Sequence, residues 1–220
     1  MSILQHVHLS AQNVGIGTNA PTANLDLSGS LRIRGTGYPN IPRMGAVLTA
    51  VDASGNAEWQ RPVVFKTRGL PATQSIPKNQ WTKLVFKSND MEINDGLYFD
   101  PFNSIFSPPV KGAYHFDAGV GLYTNSGWTS IRIVVYRNGN FLKEHRYNLR
   151  LCDVCNSDFD NARDILATVQ MRTYTLNTVL YLEAYDQVWL EVLQSDAASY
   201  MHVKPSSTDT WFSGFLVSRL

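Results

Sequence analysis

The feature that most constrains this fold is a series of short extended segments that starts near Val63 and runs through the rest of the chain. Apolar and polar residues alternate in most of them, and turn-forming residues separate them at steady spacing. Asp158–Ala167 is the one candidate for a helical turn. Many short strands without helices predict an all-β sandwich or barrel. The predicted strands are Trp81–Ser88, Leu97–Phe99, Ile105–Phe106, Gly112–Leu122, Ser130–Arg137, Asn140–Leu149, Thr168–Thr175, Asn177–Glu183, Gln187–Ser195 and Ser213–Ser218.

The low charge content favours a protein that associates with other chains. Charged residues make up 17% of the 220 residues, against about 25% in typical domains. A chain with little polar surface is better suited to an oligomer than to a monomer. The formal net charge is +1 and no basic face is visible, so we expect no nucleic-acid partner.

We expect neither membrane insertion nor ordinary secretion. No apolar run reaches the roughly 18 residues that a membrane span needs. Met1–Ser10 has neither the Lys/Arg cluster nor the apolar centre of a signal peptide. A protein of this kind that works outside a cell needs another route of exit, such as release inside a phage particle on lysis.

The N-terminal region differs in residue pattern from the rest of the chain. Asn13–Gly35 contains three very short segments in which apolar residues alternate with polar ones or glycine. None of them is able to bury a face alone, so we expect three chains to wrap round one axis and share their apolar residues. These stem residues are Val14, Ile16, Leu25, Leu27, Leu31 and Ile33.

Two stretches of this region resemble elements of phage and bacterial surface fibres. Asn13–Ile33 (NVGIGTNAPTANLDLSGSLRI) is similar to a fibre motif that starts NVGIGT and ends LRI. Gly45–Gln60 (GAVLTAVDASGNAEWQ) is similar to the GxVLT…W element that often follows it. The resemblance implies a short trimeric β stem, with residues 1–35 as the attachment segment and residues 36–62 as linker and neck.

The rest of the chain, residues 63–220, resembles the C1q/TNF-like head domain. Tyr185 stands where that pattern has Gly, Asn103 and Ser104 replace another Gly, and Leu149–Asp164 looks like an expanded loop. Five stretches carry the resemblance in order: Tyr98–Pro109 (YFDPFNSIFSPP), Val110–Ala118 (VKGAYHFDA), Ile133–Gly139 (IVVYRNG), Leu182–Val192 (LEAYDQVWLEV) and Trp211–Val217 (WFSGFLV).

This resemblance implies a jelly roll of about ten strands that assembles as a tight homotrimer. The residues agree, because Val188, Leu190 and Val192 share one side of a strand and Trp189 lies on the other. The first side suits the sandwich core and the second an oligomer contact. The expected core or trimer-contact residues are Tyr114, Phe116, Val188, Trp189, Leu190, Phe212 and Phe215.

Three clusters have the residue types of metal sites but lack a full ligand set, and we expect no cofactor. Cys152 and Cys155 form a single CxxC, whereas zinc needs about four ligands; His145 or a neighbouring chain would have to supply the rest. His6 and His8 lie on one side of an extended segment, where three chains would present six imidazoles to an axis. The acidic group near Tyr98 lacks a compact calcium loop; it comprises Asp90, Glu92, Asp95 and Asp100.

No motif of a nucleophile elbow, phosphate loop or HExxH zinc site is present, so we expect no enzyme. The favoured function is a structural virion fibre that binds a capsid or tail protein through its N-terminus. Its head would present loops such as Lys87–Gly96, Leu149–Asp164 and Ala197–Thr210 to a cell-surface glycan or protein. The alternatives are a fibre of a phage-like contractile injection system, a secreted adhesin or lectin, and a depolymerase.

Overall fold

The structure is a computed structural model of the 220-residue chain, and it describes residues 13–34, 44–124, 128–150, 170–195 and 200–220. The chain divides into two compact units, Met1–Gln60 and Arg61–Leu220. The candidate helical turn at Asp158–Ala167 lies outside the described residues.

The first unit contains two small pairs of strands. β1 (Val14–Ile16) and β2 (Leu25–Leu27) pair in parallel, with Val14 opposite Leu25 and Ile16 opposite Leu27. Parallel strands are usually joined by a crossover of a dozen or more residues. Here only eight residues, 17–24, link the two strands, so the segment from β1 to β2 makes a single coil.

β3 (Val47–Ala50) and β4 (Ala57–Gln60) form an antiparallel hairpin. The side chain of Asp52 organises its turn by accepting hydrogen bonds from the backbone N–H groups of Ser54 and Asn56. The Asn56 side-chain amide adds a third bond at 2.6 Å. These bonds lower the pKa of Asp52, the largest contribution coming from the Asn56 side chain.

The second unit is a sandwich of two antiparallel sheets, and one short 3₁₀ turn, Ser88–Asp90, interrupts its strands. Its strands are β5 (Val64–Thr67), β6 (Gln74–Pro77), β7 (Thr82–Lys83), β8 (Met91–Asp95), β9 (Phe99–Asp100), β10 (Ile105–Phe106), β11 (Gly112–Thr124), β12 (Trp128–Arg137), β13 (Asn140–Arg150), β14 (Gln170–Leu182), β15 (Gln187–Gln194), β16 (Tyr200–Val203) and β17 (Trp211–Arg219).

We name the two sheets by their long central strands. The β11 sheet has seven strands in the order β6-β16-β11-β17-β5-β8, with β14 paired along the other side of β11. The β12 sheet has six strands in the order β13-β12-β15-β10-β9, with β7 also paired to β15. This arrangement confirms the predicted all-β sandwich.

Aromatic rings fill the space between the sheets. Phe65 stacks on Phe99 and Phe106, with ring centroids 4.9 Å apart in each pair, and meets Phe212 edge-on at 5.0 Å. Phe116 stacks on Phe212 at 5.8 Å. All five rings are almost completely buried. Each aromatic side chain removes a large apolar area from water, so this cluster is a main source of stability.

Several strand predictions are wrong in detail. Two strands were expected at 168–175 and 177–183, but β14 is continuous because Asn177 pairs with Asp117 inside the ladder. Of Trp81–Ser88 only β7 is strand. The segment Lys87–Gly96, expected as a loop, contains the 3₁₀ turn and β8, and β16 lies within the expected loop Ala197–Thr210. Strand pairing across the sandwich determines these segments, and their own patterns are too short to show it.

Candidate functional site

The outer face of the β11 sheet is the first candidate surface. Along β11, Tyr114 and Phe116 point into the core and are fully buried, whereas His115 and Asp117 are only partly buried. Since side chains alternate along a strand, His115 and Asp117 lie on the outer face. The neighbouring strands place their own outward residues beside them.

One half of this face is apolar and exposed. Across β11, His115 pairs with Val179 on one side and with Phe215 on the other, and the His115 and Phe215 rings lie 5.1 Å apart. We call Val179, Tyr181, Phe215 and Val217 the face patch; their exposed fractions are 50%, 65%, 46% and 56%. Neighbouring apolar side chains with this exposure are typical of interaction sites.

The other half of the face is polar and internally bonded. The Trp211 indole N–H donates to the Asp117 carboxylate at 2.7 Å, and the Ser213 hydroxyl donates to the Asp117 backbone carbonyl at 3.2 Å. The Trp211 ring lies over Gly119, where an added Cβ would come within 2.2 Å of it. A side chain at position 119 would therefore have to displace the Trp211 ring.

A second apolar surface lies on the side of the sandwich. Among the described strands, β13 pairs only with β12 and β14 only with β11, so both are edge strands. The Lys143 ammonium donates to the backbone carbonyl of Tyr181 and joins the two edges. Phe141 and Leu142 on β13 are 51% and 43% exposed, and we call them the edge patch.

The outer face of the β12 sheet carries a third surface, built from stacked rings and ion pairs. The Tyr136 ring stacks on Trp189 with centroids 4.5 Å apart, and the Lys83 ammonium lies 5.3 Å from the Trp189 ring. The Arg132 guanidinium lies 3.8 Å from the Trp81 ring. We call this surface the outer-face ladder; its members are Trp81, Lys83, Arg132, Tyr136, Glu144, Arg146, Trp189 and Glu191.

Arg132 and Glu191 hold the ladder together. Arg132 donates to Glu191 at 2.8 Å and also to Glu144. The Trp189 indole N–H donates to Glu191 at 2.7 Å. Val134 lies beneath these side chains and is fully buried, although it points away from the central core. The ladder is therefore a packed and pre-organised layer.

The turn between β14 and β15 is fixed by a buried carboxylate. Asp186 is almost completely buried and makes two hydrogen bonds to Arg137, at 2.7 and 2.8 Å. It also accepts the backbone N–H of Glu183 at 2.9 Å. Burial alone would raise the pKa of Asp186, but the bonds from Arg137 and Glu183 outweigh it and lower the pKa.

Tyr185, which stands where the C1q/TNF-like pattern has glycine, occupies the left-handed region. Its φ is 66°, and its side chain is 79% exposed. This region costs a non-glycine residue about 1 kcal/mol. The bonds of Asp186 and a 2.8 Å bond from the Tyr185 N–H to the Pro108 carbonyl maintain it.

The stem residues are mostly exposed to solvent within their own unit. Because paired residues of a parallel ladder point to the same side, β1 and β2 display four apolar side chains on one face. Val14, Ile16 and Leu25 are more than half exposed, as is Leu31 further along. Leu27 and Ile33 are the least exposed of the six.

The remaining predicted site residues lie in the core, on the two outer faces of the sandwich or outside the described residues. Tyr114, Phe116, Val188, Leu190 and Phe212 lie in the core, whereas Trp189 and Phe215 lie on the two outer faces. The metal candidates Cys152, Cys155, His6 and His8 lie outside the described residues. Within the described ranges, no three His, Cys, Asp or Glu side chains come together as metal ligands.

Sequence reasoning missed most of the outer-face ladder. Trp81 and Arg132 lie more than fifty residues apart in the chain, so only the folded sheet brings them together. A signal was present in β12, where Ser130, Arg132 and Tyr136 alternate with buried Ile131 and Ile133.

Among the described residues, no helix has the length and apolar character needed to cross a bilayer.

Comparison with known proteins agrees with this architecture. Complement C1q tumor necrosis factor-related protein 7 of Mus musculus is 26% identical over 145 residues, which are 66% of this chain and 41% of that protein. The chain thus spans about two fifths of the length of this relative.

Solved structures resemble the chain in fold. The crystal structure of murine APRIL at pH 8.5 matches with a TM-score of 0.50 and 9% identity, covering 71% of this chain and 100% of that one. The globular domain of zebrafish complement 1qA protein gives 0.49 and 16%, covering 73% and 100%. The predicted C1q/TNF-like jelly roll is confirmed. The C1q domain family model matches residues 71–217, about two thirds of the sequence, and the chain therefore belongs to the C1q domain family.

Proposed function

We propose that this protein is a non-enzymatic, homotrimeric fibre whose head self-associates through the face patch and the edge patch. The observation that carries the proposal is that one protomer exposes two different apolar surfaces. Phe215 and Val179 lie on the face of the β11 sheet, while Phe141 and Leu142 lie on the β13 edge. Packing the edge of one copy against the face of the next makes a heterologous contact, which closes into a ring if the rotation permits.

Three copies are the expected ring. C1q/TNF-type domains commonly form homotrimers, which supports self-association of this head. The exposed edges of β13 and β14 give a second reason, because unpaired edge strands promote aggregation unless something covers them. A closed trimer covers an edge and a face of every copy at once. The same family tends to lack enzymatic activity, which supports a binding role.

The stem, residues 1–62, is proposed to attach the protein to a virion. Val14, Ile16, Leu25 and Leu27 form one small apolar face that the unit itself does not cover. Three copies facing one axis would bury it, and the resemblance of this region to phage-fibre elements supports a capsid or tail protein as the attachment partner. The head, residues 63–220, would then point away from the particle and bind a cell-surface glycan or protein. A contractile injection system would use the same architecture.

Deletion of residues 1–35 tests this division of labour. We expect a folded trimeric head that no longer joins the particle, and grafting residues 1–60 onto another trimeric head should restore joining. Normal incorporation of the truncated protein would show that the stem is not the anchor.

A point variant in the full chain makes the test sharper. Ile16→Asp places a charge on the exposed apolar face of β1, whereas Ala20→Asp places the same charge in the exposed β1–β2 link. Incorporation into particles, measured by immunoblotting of purified virions, should fall for Ile16→Asp and stay normal for Ala20→Asp. Equal incorporation of the two variants would contradict the role of this face.

A further inference from the structure

A histidine lies between the apolar side chains of the face patch. His115 on β11 has Val179 beside it on β14 and Phe215 beside it on β17, and the His115 and Phe215 rings lie 5.1 Å apart. Within the described part of the chain, the His115 ring forms no hydrogen bond or ion pair. A second copy that covers the face patch therefore also covers an imidazole, and no acid contacts that ring to compensate a charge on it.

The carboxylate that follows on the same face of β11 is already engaged. Asp117 lies two positions beyond His115, about 7 Å along the strand, and accepts the Trp211 indole N–H at 2.7 Å. Side chains with carboxyl, phenol, ammonium or guanidinium groups ordinarily keep their charge between pH 5 and 8, where histidine gains a proton. The other groups of these types on the face are Tyr181 on β14, Arg219 on β17, Lys66 on β5 with its partner Glu92, Asp95 on β8, and Asp209 with its partner Lys204.

We propose that protonation of His115 dissociates the head trimer in mildly acidic solution, so that pH controls the assembly. The inference rests on the proposed function, because a neighbouring copy covers the face patch only in the assembly. Burying a charged imidazolium in an apolar contact costs much more free energy than burying the neutral ring. The separate chains therefore bind protons that the trimer excludes, and the trimer becomes weaker as the pH falls.

Contacts within one copy do not cancel this effect. A protonated His115 would be attracted to the Phe215 ring and to the Asp117 carboxylate, but the separate chain makes both contacts as well. Only interactions that differ between two states shift the equilibrium between them. What changes on assembly is the loss of water around the imidazole, and this happens three times in every trimer.

The size of the effect follows from the ordinary behaviour of histidine. An unperturbed imidazole titrates near pH 6.5. Between pH 7.5 and pH 5.5, each histidine that must stay neutral lowers the assembly constant about tenfold, so three of them lower it about 10³-fold. The midpoint concentration of a trimer follows the square root of its dissociation constant, so this midpoint should rise about 30-fold.

Light scattering over a dilution series at pH 7.5 and pH 5.5 tests the inference on the full-length protein. Tryptophan fluorescence of the same samples should show that the head stays folded at pH 5.5. The bonds of the buried Asp186 persist there, because its pKa is lowered below the ordinary 3.8. A midpoint that is the same at both pH values, or a head that unfolds at pH 5.5, would overturn the inference.

Four variants assign the effect to one side chain. His115→Gln and His115→Phe should both form trimers whose midpoint does not change between the two pH values. His202→Gln is the matched control, because His202 lies on the same sheet beside Tyr123, eight positions further along β11, and contacts the Ser75 hydroxyl at 3.1 Å. His145→Gln removes the histidine on the β13 edge that would cover the patch. Both controls should keep the pH dependence of the natural protein. A dependence that survives in both His115 variants, or one that is lost in His145→Gln, would refute the role of His115.

The same measurements separate this inference from the proposed assembly. A natural protein that is trimeric with equal midpoints at pH 7.5 and pH 5.5 overturns only the role of His115. A natural protein that is monomeric at both pH values overturns the assembly and this inference together.

Discussion

Replacing Phe215 by alanine should dissociate the proposed trimer. Phe215 is 46% exposed in the single chain, which is about 90 Å² of a side chain that offers about 200 Å². At about 25 cal/mol per Å², burying that area contributes about 2 kcal/mol to each interface. Three equivalent interfaces give about 6 kcal/mol per trimer, or about 10⁴-fold in the trimer–monomer equilibrium constant.

Light scattering over a dilution series measures this effect. The natural protein should have about three times the 24.6 kDa mass of one chain. The Phe215→Ala variant should already dissociate to monomers at concentrations far above those at which the natural protein dissociates. Phe102→Ala is the matched control, because Phe102 is 83% exposed in the turn between β9 and β10, away from both patches. It should leave assembly unchanged even though it removes a more exposed ring.

Two results would refute the reasoning. The first is a natural protein that is monomeric at micromolar concentration. The second is a Phe215→Ala variant that dissociates over the same concentration range as Phe102→Ala. The second result would mean that a different surface joins the copies.

Two further predictions concern stability. Phe65→Ala should lower the free energy of unfolding by about 3–5 kcal/mol, because Phe65 contacts four other rings in the core; a loss under 1 kcal/mol in urea unfolding would contradict this role. Asp186→Asn should cost about 2 kcal/mol at pH 7. The bonds from Arg137 and the Glu183 amide lower the pKa of Asp186 below its ordinary 3.8, so its stabilising effect is present above about pH 4 and is lost as the pH falls through the folded-state value. The difference between the two proteins should therefore shrink in acid, and a pH-independent difference would contradict the assignment.

Most of the long strands of the head, though not β14, could be predicted because their patterns are local. In β15, Val188, Leu190 and Val192 alternate with polar or exposed positions, and the structure buries all three. The Asn138-Gly139 dipeptide is a local signal for a tight hairpin turn, and it lies between β12 and β13, where both residues adopt positive φ. Such signals depend only on residues that are close in the sequence, so they can be identified without the structure.

The short strands and the surfaces depend on distant pairings. β5 has four residues, too few for a pattern, and it exists because Phe65 and Lys66 pair with β17 almost 150 positions later. Trp189 was recognised as an outward residue, but nothing near it in sequence indicated its contacts with Tyr136 and Lys83. The face patch likewise forms only because β14 and β17 pair with β11 in one particular register.

The position of β17 has a consequence for how the protein is made. This strand lies between β11 and β5 and pairs with both, so it joins the two parts of the β11 sheet. A ribosome must complete Trp211–Arg219 before the sheet can close, and until then β11 and β5 both lack a neighbour. A nascent chain in that state exposes unpaired edges and depends on protection from aggregation. A premature stop codon before Trp211 should therefore yield an insoluble product, even though most of the aromatic core would already be present.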